Sequence, residues 1–386
     1  MSGLSAVIFL PDDTAKTGYD APLLLQPVMG IPLLSWLVDS LSAGGVERFF
    51  LICRPQHRDS AAVCFPDEVE LTCPQDHQVA FQLGEFLARQ GEDEDVIVVT
   101  GPCVLLPYAP DESQLYGTPT ESNMVCISRK SLARALDGDM QVLDCLREYG
   151  MAYTDRDGAY AVTDAAELPD WQPILSRARL SRMAAAGVKI WDYANTYVTP
   201  GVTVASGTQL LPGTILQGKT AVGADCVIGP NSRLADAEIG EGTEINASQV
   251  LQARVGSFCR VGPYAAVRTG SVLGDRTAVG SFSQLRQVQT GTGVTVSALC
   301  HLNHAVLGDN AVVEAGAVTG QEEGTVTVEE KAYVGANVTL AAAMSVGSEA
   351  CVEAGSAVSE DIPAMAVAVA RARAAVRKDW SGKNKS

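Results

Sequence analysis

From about residue 190 an aliphatic residue recurs every six positions: Val204, Leu210, Leu216, Val222, Ile228 and Leu234. After a one-residue slip come Ile239 and Ile245. The series resumes with Val255, Val261, Val267, Leu273, Val279 and Leu285, and it ends with Val328, Val334, Leu340, Val346, Val352 and Val358. Four positions after the aliphatic residue stands a small one: Thr208, Thr214, Thr220, Cys226, Ser232, Thr243, Cys259, Ala265, Ser271, Thr277 and Ser283. Gly often follows the aliphatic residue, as in "VGADCV", "IGPNSR" and "VGPYAA". Two inward positions in six, one large and one small, describe short flat strands wrapping a narrow shared interior. That is the signature of a hexapeptide β-helix.

The first half follows another grammar. "SAVIFL", "RFFLIC", "DVIVVTG" and "NMVCIS" are apolar or β-branched runs bounded by polar residues. "LLSWLVDSLSAGG", "HQVAFQLGEFLARQ" and "MQVLDCLREYG" space their apolar residues as amphipathic helices do. The alternation predicts an α/β layer with a mostly parallel sheet. The expected organisation is a head over residues 1–172, a linker helix over 173–190, the β-helix over 191–362 and a basic tail over 363–386 that ends in "VARARAAVRKDWSGKNKS".

A chain of 386 residues is long enough for two domains. The formal net charge of −17 repels nucleic acid and anionic membranes, so a phosphate-bearing ligand needs locally concentrated Arg or Lys. Ten scattered cysteines without a CxxC pair argue against zinc and against a disulfide framework. No run of about 18 apolar residues is present. "MSGLSAVIFLPDD" lacks the basic n-region and small-residue cleavage site of a signal peptide. A cytoplasmic protein is expected, with no nucleic-acid or membrane partner and no bound metal.

The hexad array resembles the left-handed parallel β-helix acyltransferases, and the left hand comes from that resemblance rather than from spacing. An α/β head, a connecting helix, a long β-helix and a basic "RKDW" tail together resemble one family. It is the bifunctional N-acetylglucosamine-1-phosphate uridyltransferase / glucosamine-1-phosphate acetyltransferase family. The implied fold class is therefore a truncated nucleotidyltransferase-like, Rossmann-like α/β head followed by an all-β left-handed parallel β-helix.

The head departs from the family pattern. Family members follow the first strand with a Gly-rich loop, Gly-Thr-Arg and Leu-Pro-Lys, whose backbone N–H groups and cations meet the nucleotide phosphates. Here "PDDTAKTGYDAPLLL" keeps Asp20 and Pro22 but puts Leu23 where the catalytic Lys belongs, and Asp12 and Asp13 within the phosphate loop. A like charge beside a phosphate costs on the order of 1–4 kcal/mol. Pro102 stands where the family's metal-binding Asp is expected, and the interval that carries the family's sugar-binding insertion is short. Uridyltransferase activity is expected to be lost, and no nucleotide-binding residue is assigned in the head.

In the β-helix, Arg268 of "AVRTGS" and Arg286 of "QLRQVQ" are 18 apart, each just after an inward aliphatic residue. With a coil of eighteen residues they stack one above the other, about 4.8 Å apart, an arrangement that is costly unless an anion bridges it. The resemblance makes them the residues that hold the substrate phosphate. Counting from Val296, Cys300 and Leu302 take inward positions, so His301 and His304 of "LCHLNHAVLGDN" point outward. The family carries its acetyl-transfer base in "GxGxxxxHLxYLGDAxIGxN". Laid without gaps on residues 291–310, the base column falls on Ala298 and the Tyr column on His301. The base is then absent, or replaced by an imidazole three residues along: His301, with His304 as the further candidate. Losing a general base costs about 10²–10⁴ in rate. Gln321 and Glu322 replace the Asn-Tyr of the family's extended loop, and Ala336 replaces a serine. Arg371 of "AVARAR" matches the tail Arg that contacts acetyl-CoA.

Two readings follow. One is an acyl-CoA-dependent N-acetyltransferase-like protein that acts on or binds an amino-sugar 1-phosphate in a UDP-N-acetylglucosamine-type pathway, with acetyl-CoA as donor. The other is a non-catalytic paralogue that binds a sugar phosphate or a partner. The resemblance implies a homotrimer in either case.

Overall fold

The computed structural model describes residues 4–14, 18–75, 78–91, 94–106, 123–130, 132–133, 151–152, 158–320, 324–341 and 343–371. The chain divides into two compact units: Met1–Val202 with Leu216–Gly218, and Thr203–Ile215 with Lys219–Ser386.

In the first unit a six-stranded sheet runs in the order Glu70–Thr72, Val46–Ile52, Leu4–Phe9, Asp95–Val99, Met124–Ser128, Met151–Ala152. The first four strands are parallel, Met124–Ser128 runs against them, and Met151–Ala152 pairs antiparallel to it. Helix Leu33–Ala43 buries Leu33, Leu34, Trp36, Leu37, Val38 and Leu41 on the face its spacing predicts, and stops at Gly44. Helix Val79–Ala88 buries Leu83, Phe86 and Leu87. The expected helix in "MQVLDCLREYG" lies outside the described residues. Helix Leu168–Ala185 begins earlier than its sequence suggests. It is fixed by Arg179, whose guanidinium is buried, pairs with Asp39 at 2.5 Å and donates to the Val202 carbonyl at 2.7 Å. A buried Arg is stable only when so paired, and Arg182 joins the same carboxylate.

The second unit is a parallel β-helix, as the hexads predict. Strands two or three residues long pair in parallel from coil to coil, Val204 on Val222, Val222 on Ile239, Ile239 on Val255, Val255 on Leu273. The predicted aliphatic residues face inward: Leu210, Ile228, Leu234, Ile245, Val267 and Leu285 are fully buried. Val204 and Val358, at the ends of the series, are half-buried. The glycine after the aliphatic residue has a steric reason. A Cβ on Gly240 would come within 2.5 Å of the Gly256 carbonyl carbon one coil away.

The coil length is not constant, as the hexad count expects it to be. Thr203 pairs with Ala221, Ala221 with Glu238 and Glu238 with Arg254, so each of these coils is one residue shorter than the one before it. The missing residues come from the corners. Two residues separate strands Arg233–Ala235 and Glu238–Ile239, whereas three separate Ala266–Arg268 and Val272–Leu273. A single residue at positive φ, such as Asp236 or Gln252 (both φ 50°), turns the tighter corner.

The small inward positions are polar for a reason beyond size. Thr208 Oγ1 donates to the Gly223 carbonyl at 2.7 Å and accepts from the Cys226 N–H of the next coil at 3.1 Å. Cys226 Sγ then donates to the Gly240 carbonyl. Thr243 repeats the pattern with Gly256 and the Cys259 N–H. In a second column Ser283 donates to the Ser297 carbonyl and accepts from the Cys300 N–H. A short hydroxyl or thiol thus satisfies the buried backbone groups between coils, each of which would otherwise cost about 1–3 kcal/mol. Burial pushes the Cys226, Cys259 and Cys300 thiols above their ordinary range, and Cys103 of the head is pushed up to about 12. At pH 8 these four thiols should react with an aromatic disulfide reagent about 100-fold more slowly than half-buried Cys73 or Cys351, and at the common rate once the chain is unfolded. Residue-resolved mass spectrometry of the labelled native protein checks this.

Candidate functional site

The register of the β-helix brings Arg268 and Arg286 together. Strands Ala266–Arg268 and Gln284–Thr290 pair with Ala266 on Gln284, Val267 on Leu285 and Arg268 on Arg286. Val267 and Leu285 are buried, so the arginines that follow them point outward, and both are exposed. Neither has a carboxylate partner among the described residues. Two guanidinium groups about 4.8 Å apart at the backbone form a fork that matches a phosphate or diphosphate.

The pair forms one end of an opening of about 460 Å³, in the range of small-molecule sites. Arg233, Ala235, Asp236, Leu251, Gln252 and Thr269 line the rest of it. Counting by eighteen could not find Arg233. The ladder from Arg233 runs to Gln249, Ala266 and Gln284, each step one residue longer than the last, and only the register shows that these share a column.

His301 begins strand His301–Leu307 and lies directly above Gln284, while Asn303 lies above Arg286. Cys300 and Leu302 are buried and His301 is exposed, as the hexad count predicts. Its Cα is thus a diagonal neighbour of Arg286 on the same outer face, about 8 Å away. It sits one step above the opening and does not line it. His304 is half-buried at the next corner, with φ 48°, one position past the face that carries the arginines. Asn303 Oδ1 is buried without a hydrogen-bond donor among the described residues. Ala298, in the family's base column, lies in a turn before the exposed corner residue Leu299, on the other side of that corner from His301.

Arg371 is not brought to this place. Strands His301–Leu307, Val318–Thr319, Thr339–Leu340 and Ala357–Val358 intervene on the arginine face, roughly 20 Å of helix axis. Its guanidinium pairs with Glu353. Gln321 and Glu322 lie outside the described residues.

In the head, the acidic residues of the loop after the first strand are engaged internally. Asp12 accepts from the Thr14 hydroxyl at 2.7 Å and pairs with Arg54 at 2.6 Å. The Thr14 hydroxyl chiefly, with the Arg54 guanidinium, holds its carboxyl below the usual carboxylate range. Asp13 accepts from the Leu23 N–H at 2.9 Å. Leu23 itself is 1% exposed in the head's core, so the position that carries a catalytic cation in the family faces inward here. The Pro102 carbonyl accepts from the Asn123 side chain and the Val162 N–H.

Comparison with known proteins agrees with the resemblance read from the sequence. Over 221 residues, 56% of the chain, it is 36% identical to the bifunctional protein GlmU of Exiguobacterium sp., covering 49% of that protein. Over 293 residues, 71% of the chain, it is 30% identical to the bifunctional protein GlmU of Heliobacterium modesticaldum, covering 64% of it. The chain spans about half the length of the first of the curated relatives it matches. Among solved structures, the UDP-N-acetylglucosamine acyltransferase from Campylobacter jejuni matches at 19% identity over 45% of this chain and 71% of that one, with a TM-score of 0.33. No family model matches the chain.

The stacked arginines carry a measurable cost without an anion. Arg286→Gln should stabilise the ligand-free protein by about 0.2–1 kcal/mol at low ionic strength, and the gain should shrink as salt is raised. Denaturant melts at two salt concentrations measure both.

Proposed function

We propose that this chain, a relative of the bifunctional GlmU proteins, holds an amino-sugar 1-phosphate on the outer face of its β-helix and acylates its amine from acetyl-CoA. The observation that carries the reading is the Arg268–Arg286 stack, without a carboxylate partner among the described residues, on a 460 Å³ opening in a chain of net charge −17. Such a pair selects a phosphate where the rest of the surface repels one. With the phosphate there, a sugar reaching one coil further brings its amine beside His301. The imidazole takes a proton from the amine as nitrogen attacks the thioester carbonyl. The C–N bond forms, the C–S bond breaks, and the proton passes to the departing thiolate. Arg371, once released from Glu353, is the residue offered to the phosphates of acetyl-CoA.

The head carries no uridyltransferase activity in this reading. Asp12, Asp13 and the buried Leu23 occupy the places where phosphate-binding groups are needed. The protein works in the cytoplasm, where its thiols stay reduced, without a nucleic-acid or membrane partner. No helix among the described residues is long and apolar enough to cross a bilayer. It assembles as a homotrimer. The exposed Tyr264 and Phe282, stacked at 5.1 Å, and exposed Leu299 stand at positive φ along one edge, where bulky apolar residues gain nothing from water.

The second reading is a trimer that binds a sugar phosphate or a partner without turnover. Ala298 in the base column favours it. Acetyl-CoA and glucosamine 1-phosphate are incubated with micromolar protein, and free thiol is followed for hours. Release above the blank is expected, falling about 10²–10⁴-fold in His301→Ala with substrate binding retained. Release that survives this change unaltered removes His301 from the mechanism. Binding with no release at all leaves the second reading.

A further inference from the structure

We propose that Cys53 and Cys73 of the head form a reversible disulfide that staples the edge of its sheet, closed by a small disulfide oxidant such as glutathione disulfide. The proposal is independent of the arginine face, which belongs to the other unit. The two cysteines stand 20 apart in sequence, and the sheet brings them together. Strands Val46–Ile52 and Glu70–Thr72 run parallel, with Arg48 on Glu70, Phe49 on Leu71 and Phe50 on Thr72. Cys53 is the first residue after one strand and Cys73 the first after the other. Their Sγ atoms lie 3.9 Å apart, and a disulfide bond is about 2.05 Å long. Unlike residues inside the β-helix ladder, both stand past the last paired position, where strand pairing does not lock the backbone. Rotation of the side chains and a small shift of the chain close the gap.

The surroundings hold the pair together and leave it open to a small reagent. Arg58, in the short helix Arg58–Ala62 that follows Cys53, donates to the Pro74 carbonyl at 2.8 Å. The chain after Cys53 is thus tied to the chain after Cys73. Both thiols pack against the head's core and are half-buried. The β-helix thiols differ: Cys226, Cys259 and Cys300 are buried, and each donates to a backbone carbonyl. The reaction is thiol–disulfide exchange. One thiolate of the pair attacks a sulfur of glutathione disulfide, whose S–S bond breaks, and the departing glutathione thiolate takes up a proton. The second thiolate then attacks the protein sulfur of this mixed disulfide and expels a second glutathione. The two protein thiols lose two electrons and two protons, and the oxidant becomes two glutathione molecules. In a reducing compartment the pair rests as two thiols and closes when the share of glutathione disulfide rises. The bond closes a ring around helix Arg58–Ala62 and anchors Glu70–Thr72, a three-residue strand at the sheet's edge. Such an edge opens locally at low cost, and a cross-link opposes the opening.

In the test, the full chain is incubated in glutathione buffers of rising glutathione disulfide content, quenched in acid, alkylated and digested. Mass spectrometry is expected to show one linked peptide joining Cys53 to Cys73, two hydrogens lighter than the reduced pair, and excess reduced glutathione should reverse it. Cys53→Ser and Cys73→Ser should each accumulate a glutathione adduct on the remaining member of the pair, an adduct that the wild type resolves. Hydrogen exchange at the amides of Glu70–Thr72 should slow about ten-fold or more in the linked protein. Wild-type thiols that stay reduced, or that carry separate glutathione adducts, overturn the proposal. So does a link that forms only after unfolding in urea, or one that joins either cysteine to Cys64 as readily. A 53–73 link that leaves exchange at Glu70–Thr72 unchanged overturns the stapling role.

Discussion

The β-helix depends on one arrangement repeated at its corners: a short polar side chain that accepts a backbone N–H from the next coil and donates to a carbonyl. Thr208, Thr243 and Ser283 each do both. An alanine there would fit but leave the buried amide without a partner, and a larger residue would not fit the narrow interior. The aliphatic residue supplies the apolar core, and the small polar one fixes each coil on its neighbour. A slip by one residue would turn the aliphatic side chains outward. The outward side chains are therefore as well placed as the inward ones, and two arginines can be held against their mutual repulsion.

The head combines an apolar core with a loop whose acidic residues find partners in the head. Its parallel strands bury apolar residues such as Val96, Ile97, Val98 and Val99, and the helix Leu33–Ala43 buries one apolar face. The loop after the first strand closes on itself through Asp12, Thr14, Arg54 and Asp13. These contacts engage both carboxylates within the head itself. On the β-helix face, by contrast, the stacked arginines cost the ligand-free fold stability.

The sequence revealed most where one residue's environment repeats. The inward positions from Leu210 to Leu285 could be read because each hexad constrains the next. Arg268 and Arg286 could be read because the coil between them keeps the full three hexads. Arg233, Asp236 and Gln252 could not, since the shortened coils break the count and the corner alone decides which residue is dropped. The outward direction of His301 followed from its buried neighbours Cys300 and Leu302, but its level, one step above the opening, required the register with Gln284. The pairing of Asp12 with Arg54 joins segments far apart in sequence and has no local signal. Leu23 reads as a lost cation in the sequence, and the structure adds that its position faces the core.

The most direct measurement of the coil register is a cross-link between the two arginine positions. Adjacent parallel strands place their Cα atoms about 4.8 Å apart, within the span a disulfide bridges. The double variant Arg268→Cys, Arg286→Cys should therefore close a disulfide under a mild oxidant, seen as one linked peptide by mass spectrometry. The pair Arg268→Cys, Gln284→Cys stands on the diagonal, beyond the reach of a disulfide, and should not close. A link at 268–284, or none at 268–286, would contradict the register on which the anion site is built.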